Sequence, residues 1–224
     1  MPKPGDEERV RIARRVAREF DAAQRKMIIN LGVGIPTMVA NYIESNQIYV
    51  QAENGMLGVG PRAEEGQIEP LLINAGREPV TETPGSCYFD SAESFGMIRG
   101  GHVDATVIGA FQVDIQGNIA NWVIPNGRQL GVGGAMDLVF GANKVVVAML
   151  HSTGKGKAKI VESCSLPVTG YGEADMVVTE LAVFRLIDKK LTLTEILPGL
   201  DLDELRRLTD APFAVSPDLT DYLQ

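Results

Sequence analysis

Cysteine and histidine are scarce in this sequence. Its 224 residues include two cysteines, Cys87 and Cys164, and two histidines, His102 and His151. The cysteines have neither the spacing of a metal site nor that of a disulfide framework, which fits a reducing compartment. A cysteine nucleophile would need a histidine beside it, and nothing in the sequence brings such a pair together. We therefore expect no metal site, no disulfide-stabilised fold and no cysteine catalysis.

Basic residues are outnumbered by acidic ones. Lysine and arginine total 21 against 29 aspartates and glutamates, which gives a formal net charge of -8. Because binding to phosphate backbones requires a basic surface, a nucleic-acid partner is not expected. The arginines between Arg9 and Arg18 lie on the polar side of a predicted amphipathic helix. A solvated helix face is favoured there, with contact to a partner chain as the alternative.

Long hydrophobic runs are missing as well. No apolar stretch approaches the roughly 20 residues that a membrane-spanning helix needs. The first residues are charged from Lys3 onward and lack the apolar segment of a secretory signal. We therefore expect no membrane association and a cytoplasmic location.

The sequence is rich in short apolar segments. Apolar residues make up 45% of the chain, which suffices for a sizeable core, and no repeat or linker divides it. A single domain over residues 1–224 is expected. Strand-like runs alternate with helical patterns, which predicts an α/β fold whose sheet is covered on both faces. The predicted strands are 27–31, 48–50, 71–73, 103–111, 144–149, 176–179, 182–187, 191–196 and 213–215. Two predicted helices begin at Asp6 and Pro36, and two others span 91–99 and 201–208. Residues 54–61 and 79–85 are predicted to be loops, and a polar tail is predicted after residue 215.

A glutamate lies where the second predicted strand ends. Glu53 follows the run 48–50 and precedes the turn signal Asn54-Gly55. In an open α/β sheet, ligands bind just outside the carboxyl ends of the strands. Glycines at 55, 58 and 60 let the backbone turn or come close to a ligand. Local pattern alone supports a surface glutamate and a functional one equally.

Two further glycine-rich loops follow predicted strands or turns. Residues 32–36 read GVGIP, but Thr37 replaces the third glycine of the dinucleotide fingerprint, so an anion site and a plain β-α turn both stay open. Residues 131–134 read GVGG and lack the lysine and hydroxyl residue of a phosphate loop. These residues fit a role as backbone N–H donors better than a role as a phosphate-binding loop.

Several motifs resemble those of one enzyme family. Residues 53–61 read ENGMLGVGP, and LINAG (72–76), SFGMIRGGHVD (94–104), ANW (120–122) and GGAMDLV (133–139) follow in order. Together they resemble the β subunit of the family I CoA-transferases, which includes 3-oxoacid, acetate and butyrate CoA-transferases, over nearly the whole chain. The resemblance implies a CoA-transferase-like α/β fold with an open, mixed, mostly parallel sheet and helices on both faces.

The resemblance also implies a mechanism and a set of site residues. Glu53 would attack an acyl-CoA, and the resulting anhydride would become a glutamyl-CoA thioester that passes CoA to a second acid in ping-pong fashion. Gly133 and Gly134 would stabilise the oxyanion. CoA is then a substrate, and neither a metal nor a cofactor is implied. The implied CoA-binding residues are Gly32, Val33, Gly34, Ile35, Pro36, Asn54 and Gly131.

The family resemblance implies a second polypeptide. Its α portion is not in this chain, so we expect a hetero-oligomer with an α subunit. An acyl-CoA hydrolase and a non-catalytic domain that senses CoA or sugar phosphates are the alternatives. Arg62 follows Pro61 at a position where related enzymes that act on succinate and acetoacetate commonly carry an aromatic residue. It would meet a substrate carboxylate or remain a solvated loop arginine. The acyl-CoA and the acceptor acid stay unassigned.

Overall fold

The computed structural model describes residues 6–127, 129 and 131–222, so Lys3 and both ends of the predicted 1–224 domain lie outside the described residues. The helices are α1 (Asp6–Asp21), α2 (Ile35–Met38), α3 (Ser91–Arg99), α4 (Ala135–Gly141) and α5 (Leu202–Leu208), with a 3₁₀ turn at Val39–Tyr42. The strands are β1 (Met27–Leu31), β2 (Ile48–Ala52), β3 (Met56–Arg62), β4 (Val80–Tyr88), β5 (Ala105–Ile108), β6 (Gln112–Asp114), β7 (Ile119–Ala120), β8 (Val145–Ala148), β9 (Ile160–Val161), β10 (Met176–Val178), β11 (Ala182–Ile187), β12 (Lys190–Ile196) and β13 (Ala214–Asp221).

Ten of the strands within the described residues form one sheet. Their order is β13-β12-β11-β10-β8-β5-β1-β2-β3-β4, and β7-β6-β9 form a separate small sheet. Parallel pairing joins β2-β1-β5-β8-β10 through the centre and β12 to β13, whereas the other neighbours are antiparallel. The predicted open, mixed and mostly parallel sheet is confirmed.

Helices cover both faces of the sheet, as predicted. On one face, α1, α2 and the 3₁₀ turn pack on apolar side chains of the central strands. On the other, α3, α4 and α5 pack together with the small sheet. All four residues of β8 are buried, because a central parallel strand is covered on each side. No helix in the described part of the chain is long and apolar enough to cross a membrane.

The predictions for 54–61, 79–85 and 71–73 are wrong. The supposed glycine loop is a turn at 53–55 followed by β3, and the proline-containing passage 79–85 lies almost entirely in β4, an edge strand that tolerates Pro84. Residues 71–73 form no strand, and only Ile73 makes an isolated bridge, to Pro79.

Two other predicted boundaries also differ from the structure. The helical pattern that follows the first glycine loop divides into the four-residue α2 and the 3₁₀ turn. The polar tail after residue 215 continues as β13, because pairing with β12 supplies the backbone hydrogen bonds that polarity alone does not predict.

The glycines of the β2–β3 turn make room for the neighbouring strand. A Cβ at Gly55 would lie 2.1 Å from the carbonyl oxygen of Phe89, and one at Gly60 would lie 2.5 Å from Thr81 Oγ1. At Gly58 it would approach Ser86 to 2.9 Å. These glycines therefore permit close contact with β4 and the residue that follows it, and Gly55 and Gly58 also have the positive φ expected of a turn, at +122° and +87°. Their approach to a ligand stays a prediction.

Candidate active site

Glu53 lies directly after β2, at the carboxyl edge of the sheet. Strand β2 ends at Ala52, and the N–H of Gly55 closes the turn by donating to the Ala52 carbonyl over 3.0 Å. The glutamate is partly buried. Because β1 and β2 are parallel, the Gly32 loop that follows β1 lies at the same edge of the sheet.

A buried amide network holds one oxygen of this glutamate. Asn30 Nδ2 donates to Glu53 Oε2 over 3.2 Å, and also to Oε1 and the carbonyl oxygen of Gln51 over 2.8 and 3.1 Å. Gln51 Nε2 in turn donates to Ser94 Oγ over 2.8 Å. Asn30, Gln51 and Ser94 are all buried, so water does not compete for these hydrogen bonds.

Sequence reasoning missed this network, although a local signal was present. Asn30 interrupts the apolar strand β1, and Gln51 interrupts β2. Strand register places Thr106, Asn30 and Gln51 side by side across β5, β1 and β2 as a buried polar row. A polar residue inside a buried strand needs a partner or a function, and that was the available clue.

The second glycine loop reaches the glutamate from α4. A Cβ at Gly134 would lie 3.7 Å from Glu53 Cγ and 2.9 Å from Phe95 Cζ, so Gly134 packs against both side chains. Gly133 has φ of +52°, a conformation that favours glycine. Among the described residues, neither Gly133 nor Gly134 donates its N–H to an acceptor. Two free donors therefore lie in the loop that contacts Glu53.

The loop 32–36 is shaped by its own hydrogen bonds. Gly32 donates its N–H to the Val107 carbonyl over 2.8 Å, which joins the loop to β5. Thr37 Oγ1 accepts from the N–H of Gly34 and donates to the Gly32 carbonyl over 3.1 and 3.0 Å. Val33 is 66% exposed at the apex, ahead of Ile35 and Pro36 in α2. The CoA-binding role of this loop stays a prediction.

Asn54 and Gly131 also stay predictions as CoA-binding residues. Asn54 is exposed, and its Nδ2 donates to the Ile73 carbonyl over 3.0 Å, which ties the segment 63–79 to the turn after Glu53. The same segment approaches the first glycine loop, because a Cβ at Gly76 would lie 3.9 Å from Val33. Gly131 is exposed with φ of +77°.

Arg62 is remote from the glutamate. It ends β3, six residues beyond Met56, which pairs with Ala52, so about 20 Å of strand separates the two positions. Arg62 lines a cleft of about 270 Å³ together with Glu78 and Asn74. The cleft lies on the α2 face of β2. Glu53 instead accepts from Asn30 and lies beside Gly134 in the loop before α4. Neither of the two roles considered for Arg62 is tested by this distance, but within this chain Arg62 does not lie beside Glu53.

The cysteines and histidines do not form a nucleophilic pair in the described residues. His151 bonds through Nδ1 and Nε2 to the hydroxyls of Thr179 and Thr209, and burial lowers its pKa to about 4. Burial, with the nearby Asp114 carboxylate, raises the pKa of the Cys164 thiol to about 12. A thiol held in its protonated form is a poor nucleophile. The described part of the chain also contains no cluster of three or more His, Cys, Asp or Glu residues able to hold a metal ion.

The sequence and the fold match those of a known enzyme class. Residues 10–207 match the family model described as Coenzyme A transferase. The chain therefore belongs to the coenzyme A transferase family, which confirms the resemblance found in the sequence and the expectation of an enzyme of that class.

The chain is similar to subunits of two named CoA-transferases and to one solved structure. The chain is 52% identical over 210 residues to the beta subunit of the acetate CoA-transferase of Escherichia coli K12, covering 93% of this chain and 94% of that one. It is 46% identical over 211 residues to the B subunit of the probable succinyl-CoA:3-ketoacid coenzyme A transferase of Bacillus subtilis, covering 94% and 96%. The apoenzyme structure of the acyl-CoA transferase YdiF from E. coli O157:H7 shares the fold, with a TM-score of 0.75 and 23% identity, over 96% of this chain and 43% of that one.

Proposed function

We propose that this chain, together with an α subunit, transfers CoA from an acyl-CoA to a free carboxylic acid through a glutamyl-CoA thioester on Glu53. One observation supports this most directly: the glutamate accepts from a buried amide donor, Asn30, and lies beside the Gly133–Gly134 loop, whose N–H groups bond no acceptor in the described residues. This is the arrangement that a carboxylate nucleophile and an oxyanion require.

The first step forms an anhydride. A glutamate oxygen attacks the acyl-CoA carbonyl carbon, the bond to sulfur breaks, and CoA leaves as a thiolate. The oxyanion on the acyl group forms next to the attacked carbon, where the N–H groups of Gly133 and Gly134 would donate to it. Partial burial of Glu53 favours attack, because a fully hydrated carboxylate is a weak nucleophile.

The second step moves CoA onto the enzyme. The thiolate attacks the glutamyl carbonyl, the first acid leaves as a carboxylate, and a thioester remains on Glu53. A second acid then reverses both steps and departs as the new acyl-CoA. This order of release gives ping-pong kinetics. CoA is a substrate throughout, and the chemistry needs no other group.

The α subunit is proposed from the relatives. One of them is named as a beta subunit and another as a B subunit, and this chain covers nearly their full length. Their names also guide the substrate class: one is an acetate CoA-transferase and the other a succinyl-CoA:3-ketoacid coenzyme A transferase. We propose short-chain acids and 3-oxoacids as the acids exchanged.

Peptide mass mapping tests the proposal. The chain is mixed with its α partner and an acyl-CoA without acceptor, and the expected product is a CoA adduct on Glu53. Glu53→Gln keeps the side-chain volume and is expected to lower kcat by on the order of 10⁴-fold or more. An adduct on another residue, or near-normal activity of Glu53→Gln, would refute the mechanism. Sustained release of free CoA without acceptor, at the rate seen with acceptor, would instead identify a hydrolase.

A further inference from the structure

The two carboxylate oxygens of Glu53 have different surroundings. Oε2 accepts the hydrogen bond from Asn30 Nδ2. Oε1 accepts no hydrogen bond from any side chain or backbone group in the described residues. An oxygen without a donor keeps its lone pairs available for attack, whereas the bonded one is less nucleophilic. The surroundings therefore distinguish an attacking oxygen from a carbonyl oxygen before any substrate arrives.

We propose that Asn30 is a catalytic residue whose Nδ2 donates to the oxyanion that develops on Glu53 Oε2 when the CoA thiolate attacks the glutamyl carbon. The inference rests on the proposed function and adds to it a side-chain donor for the second step, beyond the backbone donors of the glycine loop. It also assigns Oε1 as the oxygen that forms the anhydride.

The electron flow in this step is balanced. The thiolate sulfur forms a bond to Glu53 Cδ, and the π pair of the C=Oε2 bond moves onto Oε2. The tetrahedral intermediate then collapses: the π bond re-forms, the bond from Cδ to Oε1 breaks, and the first acid leaves as a carboxylate that retains Oε1. No proton is transferred. Because Asn30 is neutral, it stabilises the charge by donation alone.

The network fixes the Asn30 amide with its NH₂ group toward Glu53. Three acceptors surround that group, namely Glu53 Oε2 and two oxygens of Gln51, although it has two hydrogens to donate. The share of donation to Oε2 therefore grows when Oε2 becomes an oxyanion. Gln51 is held in turn by Ser94, so the donor is in place before the reaction and needs little reorganisation.

The other end of the same amide argues against a purely structural role. Asn30 is fully buried, yet its Oδ1 has no hydrogen-bond partner in the part of the chain that the structure describes. An unpaired buried carbonyl costs roughly 1–3 kcal/mol, and buried groups that serve only packing are nearly always paired. An apolar residue would fill this position in β1 at lower cost, so the donor end of the amide is the reason for an asparagine here.

Single-turnover kinetics of the complex with the α subunit test the inference. Asn30→Leu removes the donor at similar volume and is expected to slow formation of the CoA adduct by about 10²–10³-fold. We expect the adduct still to form on Glu53 and the KM for acyl-CoA to change by less than about threefold, since uniform binding is not lost. The control is Thr192→Val, which removes a buried hydroxyl from β12, a strand separated from β1 by four others in the sheet, and should leave the rate unchanged.

The outcomes separate the two hypotheses. If the wild-type adduct is absent or lies on another residue, the proposed function fails. If the adduct lies on Glu53 and Asn30→Leu reacts within about fivefold of the wild type, or Thr192→Val is slowed as much, the role of Asn30 is refuted while the proposed function stands.

A measurement on the wild type covers the case in which Asn30→Leu does not fold. In the trapped thioester made with ¹³C-labelled glutamate, infrared difference spectra report the stretch of the glutamyl C=O bond. Hydrogen bonding from Asn30 is expected to lower its frequency below that of a thioester in aprotic solvent. A band at the frequency of a free thioester carbonyl would overturn the proposal.

Discussion

Gly134 and Gly96 differ in what a methyl group would meet at each position. At Gly134 a Cβ would lie 2.9 Å from the Phe95 ring and 3.7 Å from Glu53 Cγ, whereas at Gly96, on the exposed side of α3, it would meet nothing within 4 Å. We expect Gly134→Ala to lower kcat by about 10²-fold, because the donor loop and the nucleophile are pushed apart. Gly96→Ala should leave kcat unchanged and stabilise the fold by about 0.5–1 kcal/mol. Steady-state kinetics and urea unfolding measure both; equal kcat values for the two variants would contradict the packing argument.

The individual residues of the site were predictable to different degrees. Glu53 stands out because it follows a strand and opens a motif of several residues. Asn30, Gln51 and Ser94 belong to three elements, and their association depends on the parallel register of β1 with β2 and on the docking of α3. Register is a property of the assembled sheet, so local pattern did not reveal that these side chains meet.

Helix α1 is joined to the sheet by a cluster of ion pairs. Glu19 accepts hydrogen bonds from Lys144 Nζ over 2.6 Å, from Arg185 Nη2 over 2.8 Å and from Arg15 over 3.3 Å, and Arg15 also pairs with Glu195. The arginines of this helix were predicted to be a solvated face. Arg15 departs from that prediction, since it is buried at this contact.

The cluster makes stability depend on pH. Burial alone would raise the pKa of Glu19, but hydrogen bonds and charges from Arg185 and Lys144 outweigh it and lower the pKa from 4.5 to about 2. The folded pKa lies below the unfolded one, so this contribution, roughly 3 kcal/mol, is present above pH 4.5 and is lost as the pH falls toward 2. Urea midpoints between about pH 6 and 3 should decline less steeply for Glu19→Gln than for the wild type. Parallel slopes would show that Glu19 does not carry the effect.

Two glycines with positive φ, Gly55 in the β2–β3 turn and Gly66 after β3, differ in the space around them. Gly55 and Gly66 both have positive φ, at +122° and +100°, but a Cβ at Gly55 would meet the Phe89 carbonyl at 2.1 Å and one at Gly66 would meet nothing within 4 Å. We expect Gly66→Ala to reduce the free energy of unfolding by about 1 kcal/mol through backbone strain. Gly55→Ala adds a steric overlap and should reduce it by about 3 kcal/mol or more. Equal losses in urea unfolding would mean that β4 moves aside easily.

At the level of elements, apolar runs predicted the central strands well. Strands β1, β5 and β8 are largely buried and rich in β-branched residues, and β2 is partly buried, so hydrophobicity and location agree. Strands β3 and β4 carry glycine and proline, which locally favour loops, and they exist because each pairs with a neighbour. Tertiary pairing outweighs propensity in this hairpin.

The ten-stranded sheet of the described residues has two edge strands, β4 and β13. Strand β4 carries Pro84 and strand β13 carries Pro217 near its middle. Proline lacks the N–H that an additional strand would need, so both edges are protected against indiscriminate pairing. Association with another chain is therefore expected to use side-chain surfaces and loops.

Activity is expected to belong to the complex and not to this chain alone. Under the proposed function, the α subunit completes the site at this edge of the sheet. The purified chain should show little CoA transfer, and activity should rise with added α subunit until the two are equimolar. Transfer activity is measured as new acyl-CoA formed per minute at fixed substrate. Full activity of the isolated chain would contradict the shared site.

The segment 63–79 has a consequence for protein engineering. It is inserted between the adjacent strands β3 and β4 and reaches the carboxyl edge through the hydrogen bond from Asn54 to Ile73. The strands that position Asn30 and Gln51 lie elsewhere in the sheet. A library of variants confined to this segment would vary the surface beside the turn after Glu53 while the buried strands stay unchanged. The segment is therefore a suitable region in which to search for variants with new substrate preferences.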